Sequence, residues 1–234
     1  MFGNFFNMDS PFSHFLDKVT DFMILNILFL VFSIPIVTIG ASLTAMYDVL
    51  TKMDTNREVP AVKGFLKAFR NNFKKSTILW LIFCAVTMFL LTDIYIVGYG
   101  FNMSANANML FLILFFVALF LWIVVGGYMF VLQARIENPI GRTIKVACAF
   151  AYAHLIPYSV ATGIISLVPI IMLIGITETF YKLLPVWLLG GITILMYINS
   201  KIYMGVLVKY VPELRNEKEE YKPLDFVGED EMHG

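Results

Sequence analysis

Residues 76–134 read STILWLIFCAVTMFLLTDIYIVGYGFNMSANANMLFLILFFVALFLWIVVGGYMFVLQA, 59 residues with a single charge, Asp93. About 20 apolar residues suffice to cross ~30 Å of hydrocarbon as a helix. This run therefore holds two spans, divided by the polar stretch GYGFNMSANAN at 98–108. Working outward, residues 22–47 carry no charge in 26 positions, and residues 146–200 carry only Glu178 and Lys182 in 55. The first gap holds one span; the second holds two, divided at 177–184. The expectation is an all-α polytopic membrane protein with five transmembrane helices, at about 22–46, 76–98, 109–133, 157–176 and 185–208. Helices are preferred to a barrel because the apolar runs are continuous, whereas barrel strands show short alternating segments.

The composition agrees. Of the 234 residues 59% are hydrophobic and 15% charged, against roughly 25% charged in soluble domains. Formal net charge is zero, which argues against a basic nucleic-acid binder and against an acidic disordered protein. Two cysteines, Cys84 and Cys148, are too few for a disulfide scaffold. Residues 1–212 read as a single helical membrane domain and 213–234 as an acidic, mobile cytoplasmic tail. The first span resembles a signal peptide only superficially. Asp9, Asp17 and Asp21 stand against Lys18 before it, where a leader would carry a basic region, so it reads as an uncleaved anchor.

Lys and Arg bias sets orientation. Fifteen of the 17 basic residues fall in the 48–75 connection, the 135–145 connection and the end of the chain, and only Lys18 and Lys182 fall on the other side. With five spans this places the N-terminus outside and the C-terminus in the cytoplasm.

Three surface segments stand out. Residues 1–21 set Phe2, Phe5, Phe6, Phe12 and Phe15 among polar groups, as an outer interfacial segment would. Residues 62–75, VKGFLKAFRNNFKK, place Val62, Phe65, Leu66, Phe69 and Phe73 at helical spacing, with Lys63, Lys67, Arg70, Lys74 and Lys75 over the rest. That pattern predicts an amphipathic helix at the inner interface, rings in lipid and bases near anionic headgroups; the alternative is a docking surface for a partner. Residues 140–154 repeat the pattern weakly, with Val146, Phe150 and Ala153.

Pro35 and Pro169 lie mid-span and predict helix kinks. Gly126-Gly127 and Gly190-Gly191 permit close helix approach, within the chain or between copies in a homo-oligomer. Thr38 and Ser42 share one helical face near Pro35. With Thr44 they form the best polar patch of the first span, which also carries Asn26. Hydroxyls in membranes mostly bond backbone carbonyls or neighbouring helices; the functional alternative is a ligand-binding cavity. Asp93 lies 17 residues beyond Ser76, ~25 Å along a helix. It reads as a boundary residue or as part of an outer vestibule for a polar ligand. Arg135, Glu137 and Arg142 cluster at the inner mouth, which reads by default as a solvated surface cluster; with Asp48 and Lys201 the alternatives are an ion-pair network or a partner site. His14, His154 and His233 are too scattered to hold a metal, and no hydrolase, zincin or Walker motif occurs. No cofactor, metal or catalytic role is expected.

SIPIVTIGASLTAMY at 33–47, FLKAFRNNFKKSTILWLI at 65–82 and FFNMDSPF at 5–12 together resemble the YesL family of bacterial membrane proteins. The likeness is most specific at Pro35, Thr38, Gly40, Thr44 and Ala45 and at Phe65, Phe69, Asn72, Phe73 and Lys74. Beyond Ile140 it rests on hydropathy and on NPIGR at 138–142. The resemblance implies a multi-pass protein of the cytoplasmic membrane, with family genes often beside carbohydrate-uptake genes and no assigned activity. Three expectations follow: a non-enzymatic accessory of carbohydrate uptake that contacts a permease, a small transporter or channel in its own right, or a membrane sensor or regulator.

Overall fold

A computed structural model describes residues 11–54, 60–100, 104–136, 138–153, 182, 185–211 and 214. Every regular element among them is helical: α1 (Pro11–Phe32), α2 (Ile39–Asp54), α3 (Ala61–Tyr95), α4 (Ala105–Arg135), α5 (Ile140–Ala153) and α6 (Ile192–Tyr210). A 3-10 turn, Ile36–Thr38, precedes α2; π turns extend α3 (Ile96–Gly100) and lead into α6 (Trp187–Gly191). Three helical stretches are long and apolar enough to cross a membrane: Ala61–Gly100, Asn106–Arg135 and Trp187–Tyr210. They contain the expected second and third spans and, from Trp187 on, the fifth. The fourth span and Pro169 lie outside the described residues, as do residues 1–10 and all of the acidic tail except Leu214.

The first span is not one helix. Proline lacks an N–H, and in a helix its ring clashes with the carbonyl four residues earlier. Here the chain yields completely: α1 ends at Phe32, and Pro35 takes an extended conformation, φ −74° and ψ 117°. Pro35 stands in a break between two helices and does not kink one. The Thr38 hydroxyl closes the break by donating to the Phe32 carbonyl at 2.6 Å and the Pro35 carbonyl at 2.7 Å. The Thr38 N–H also donates to the Pro35 carbonyl.

The break frees α2 to become the centre of the bundle. Every residue from Gly40 to Thr51 except Leu43 is buried, as expected of a helix packed on all sides. α3 provides its longest contact, and α1, α4 and α6 cover the rest. Gly40 brings the two backbones together: a Cβ there would lie 2.6 Å from the Ser76 carbonyl and would also meet the Trp80 Cβ. α3 and α4 form an antiparallel hairpin. Near one end the Gln133 amide donates to the Asn72 side chain at 3.3 Å. Farther along, Trp122 stacks on Phe83 at 5.7 Å and its indole N–H donates to the Phe83 carbonyl. The Phe83 ring also covers Gly126, and the Tyr203 hydroxyl of α6 covers Gly127. Both glycines of this pair thus serve helix packing inside the chain.

Two expected interfacial helices pack against protein. α5 turns back along α4, burying Thr143, Ala147 and Ala151 and setting Phe150 6.2 Å from Tyr128. The amphipathic segment 62–75 is the first part of α3, continuous with the span. Its Phe65 is fully buried, and Phe65 and Phe69 pack on Phe32 at 5.6 and 4.9 Å. These two rings face α1, not lipid, because the break after Phe32 leaves that ring free to fill the groove beside α3.

The contacts of Gly40 predict opposite outcomes for two alanines. Gly40→Ala meets a backbone carbonyl that cannot rotate away, and should lower stability by roughly 1–3 kcal/mol. Gly205→Ala, in α6 with nothing within 4 Å of the new Cβ, should be neutral or stabilise by up to about 1 kcal/mol. Thermal unfolding of the two variants in detergent, followed by intrinsic fluorescence, checks both signs.

Candidate functional site

Two groups of polar residues stand out in the bundle. The first joins α1 to the turn before α6. Asn26 is fully buried. Its amide nitrogen donates to the Trp187 carbonyl and to the Leu188 carbonyl, each at 2.8 Å. Its carbonyl oxygen accepts from the Thr193 N–H and the Thr193 hydroxyl, both at 3.3 Å. A π turn interrupts the i→i−4 ladder, and in an apolar interior its carbonyls need donors. Asparagine offers two donors and one two-lone-pair acceptor on one planar group, so a single side chain serves both sides of the turn. The network also fixes the amide orientation, since a flipped group would set oxygen against two carbonyls. Phe22 on Tyr197, at 5.1 Å, extends this seam and makes α1 antiparallel to α6.

The second set lies among α2, α3, α4 and α6. It includes the buried Asp48, Thr51, Ser76, Gln133, Asn199 and Ser200 and the half-buried Asn72, on helices that also join through the rings of Tyr47, Tyr128 and Tyr203. Asp48 is buried and paired with Lys52 one turn on, at 2.5 Å. Among the described residues Asp48 thus finds its ion-pair partner in its own helix. Lys201 places its ammonium 4.6 Å above the Tyr197 ring, and Glu137 lies outside the described residues. The Ser76 hydroxyl and the Gln133 side-chain oxygen are buried without a hydrogen-bond partner.

The candidate ligand residues divide. Ser42 and Thr44 are fully buried, but their hydroxyls donate to the Thr38 and Gly40 carbonyls of their own chain at 3.1 and 3.0 Å. With Thr38 capping the break, all three hydroxyls are engaged with backbone. Asp93 is half-buried near the far end of α3. Gly40 packs beside Ser76, and Asp93 is 17 residues farther along, ~25 Å away, so the structure does not bring Asp93 to the Thr38 patch. Lys63, Lys67, Arg70, Lys74 and Lys75 are all exposed. Ahead of the first apolar segment, burial and, to a lesser degree, the neighbouring Asp17 raise the Asp21 carboxyl above the ordinary carboxylate range.

Sequence reading named Asn26 only as one polar group on the first span. Its role comes from residues more than 160 positions away, which no local spacing encodes; a lone asparagine in a charge-free run was the available signal.

Removal of the Asn26 amide tests the seam. Asn26→Leu should cost roughly 1–3 kcal/mol by leaving two carbonyls without donors. Asn26→Asp should cost at least as much, because an ionised carboxylate has no donor to offer. Hydrogen exchange should rise selectively at the amides of 187–193; unchanged exchange there would show that the clamp does not hold the turn.

Residues 22–94 match the family model described as "Protein of unknown function, DUF624", which is the YesL-type family of membrane proteins. The match covers the α1–α2 break, the Asn26 position and nearly all of α3. No curated protein and no solved structure matches the chain.

Proposed function

We propose that this YesL-type membrane protein is a non-enzymatic accessory component of solute uptake, of carbohydrates in particular, acting by contact with a permease in the cytoplasmic membrane. The observation that carries the reading is the use of the first segment's hydroxyls. Thr38, Ser42 and Thr44 all donate to backbone carbonyls, so the patch best suited to a ligand serves the helix break and α2. A bundle whose polar groups hold its own turns is suited to being a partner and poorly suited to being a conduit. The proposed orientation sets the basic start of α3 and the Arg135 end of α4 in the cytoplasm, with the 98–108 connection outside, following the lysine and arginine bias.

A second reading, a small transporter in its own right, draws on the buried, unpartnered Ser76 hydroxyl and Gln133 oxygen between α3 and α4. Unmatched polar atoms in a membrane interior are costly and suit a polar solute or ion. Two measurements separate the readings. The accessory role predicts that the tagged chain co-purifies with an integral permease, that sugar uptake falls in cells lacking the chain, and that pure protein in liposomes passes no sugar. Flux from pure protein that is lost in Gln133→Leu would establish the transporter instead. Asp93→Asn should leave uptake unchanged under the accessory reading.

A further inference from the structure

The break between α1 and α2 exposes an unusual sequence. Ile34 is 77% exposed, Ile36 72% and Val37 50%, with Pro35 exposed between them. Three branched aliphatic residues in an irregular segment gain nothing from facing water. Their level along α3 is fixed from both sides. Phe32 packs on Phe69 at 4.9 Å, and Gly40 packs on Ser76. The segment therefore lies beside residues 69–76, a rise of ~10 Å. Ser76 is where the charge-free run of α3 begins, and Lys75 is the last base before it. The aliphatic segment thus sits at the boundary between basic and apolar chain.

The surface of α3 at that level has two stripes. Val62, Leu66, Phe69 and Phe73 follow i, i+4, i+7, i+11 spacing, and Val62, Leu66 and Phe73 are exposed. Lys63, Lys67, Arg70 and Lys74 follow the same spacing one residue on, ~100° around the helix. Phe32 lies against the apolar side of this pattern, so the aliphatic segment and the apolar stripe share one flank, with the bases on the next. Part of the backbone of the break is satisfied within the chain as well. Ser33 and Ile34 donate to Phe29 and Val31 carbonyls, and Thr38 to Pro35; Pro35 has no N–H, and the Thr38 hydroxyl bonds two further carbonyls. These bonds meet part of the irregular backbone, and a segment at headgroup level keeps water within reach of the rest.

We infer that residues 34–37 are a wedge inserted at the acyl–headgroup boundary of an anionic leaflet, with Lys63, Lys67, Arg70 and Lys74 binding the phosphates around it. The charge complementarity of a basic stripe beside an exposed apolar one selects an anionic phospholipid surface. The inference rests on the membrane placement of α3 and α4 and goes beyond the accessory reading: it gives the 62–75 face to lipid and not to a permease.

The test uses the full chain with Cys84→Ala and Cys148→Ala, reconstituted in vesicles of phosphatidylcholine and phosphatidylglycerol. A polarity-sensitive fluorophore is attached at Ile36→Cys, at Val37→Cys as a second position in the wedge, and at Met88→Cys as a control on α3. The expected result is quenching at residue 36 or 37 by lipids brominated near the top of the acyl chain, with no quenching by aqueous iodide. Brominated phosphatidylglycerol should quench at least about twofold more than brominated phosphatidylcholine at equal mole fraction. Joint substitution Lys63→Gln, Lys67→Gln, Arg70→Gln and Lys74→Gln should remove that preference. Iodide quenching at 36 and 37 with Met88 still in the acyl region would overturn the wedge alone. Shielding from both quenchers would mean that protein, such as a second copy of the chain, covers the segment. Equal quenching by the two lipids would overturn the anionic selection, and iodide access at Met88 would remove the membrane placement beneath the whole inference.

Discussion

The carboxamide of Asn26 joins a helix near the start of the chain to a turn 161 residues later. Much of the bundle's geometry depends on that union. A π turn in an apolar setting needs donors for its carbonyls, and Asn26 supplies them from a different helix. The turn can therefore exist only where α1 lies beside it. In fixing α1 against the entry to α6, the clamp sets where Phe32 ends. Phe32 in turn packs on Phe65 and Phe69 and defines the groove along the basic half of α3. A second device of the same kind, the Thr38 hydroxyl, closes the break that follows. Both solve one problem, the satisfaction of backbone groups where a helix is interrupted, and both do it with one small polar side chain.

Around those two points the packing is made by absence of side chain as much as by its presence. Gly40 brings α2 onto the Ser76 carbonyl, Gly126 receives the Phe83 ring, and Gly127 receives the Tyr203 hydroxyl. In a membrane the driving force between helices is close contact and hydrogen bonding, since lipid tails are as apolar as the helices. Small residues facing large aromatic ones provide that contact. The cluster of Tyr47, Tyr128 and Tyr203 adds ring contacts at 6.3 and 4.5 Å where α2, α4 and α6 meet.

What could be read from the sequence follows from these forces. The charge-poor runs at 76–134 and 185–208, with one charge each in Asp93 and Lys201, largely coincide with long apolar helices because hydropathy over about 20 residues reports directly on membrane crossing. The same measure misread 22–46. Hydropathy is blind to the point at which a proline stops a helix, so it merged the end of α1 with the start of α2. It also treated Asp48 as a boundary, although Asp48 lies within α2 and is neutralised by Lys52. The amphipathic pattern of 62–75 correctly indicated a helix, but periodicity cannot tell a lipid-facing ring from one packed on Phe32. Of the candidate site, the hydroxyls were visible as residue types, while their engagement with backbone and the pairing of Asn26 with Trp187 and Thr193 belong to tertiary structure.

The central position of α2 also bears on biogenesis. A 16-residue helix rises only ~24 Å, and an aspartate near a helix centre costs about 2.5–3.5 kcal/mol on translocon insertion scales. The start of α2 lies beside Ser76 and its end near the start of α3, so it runs back along the basic half of that helix, and alone it has little reason to enter the bilayer. Its burial requires α3 and α4 beside it and, for its remaining face, α6, which is synthesised more than 130 residues later. The helix made second is thus among the last to find its full environment. Until then it must wait at the membrane surface or beside the insertion machinery, so the order of assembly differs from the order of synthesis.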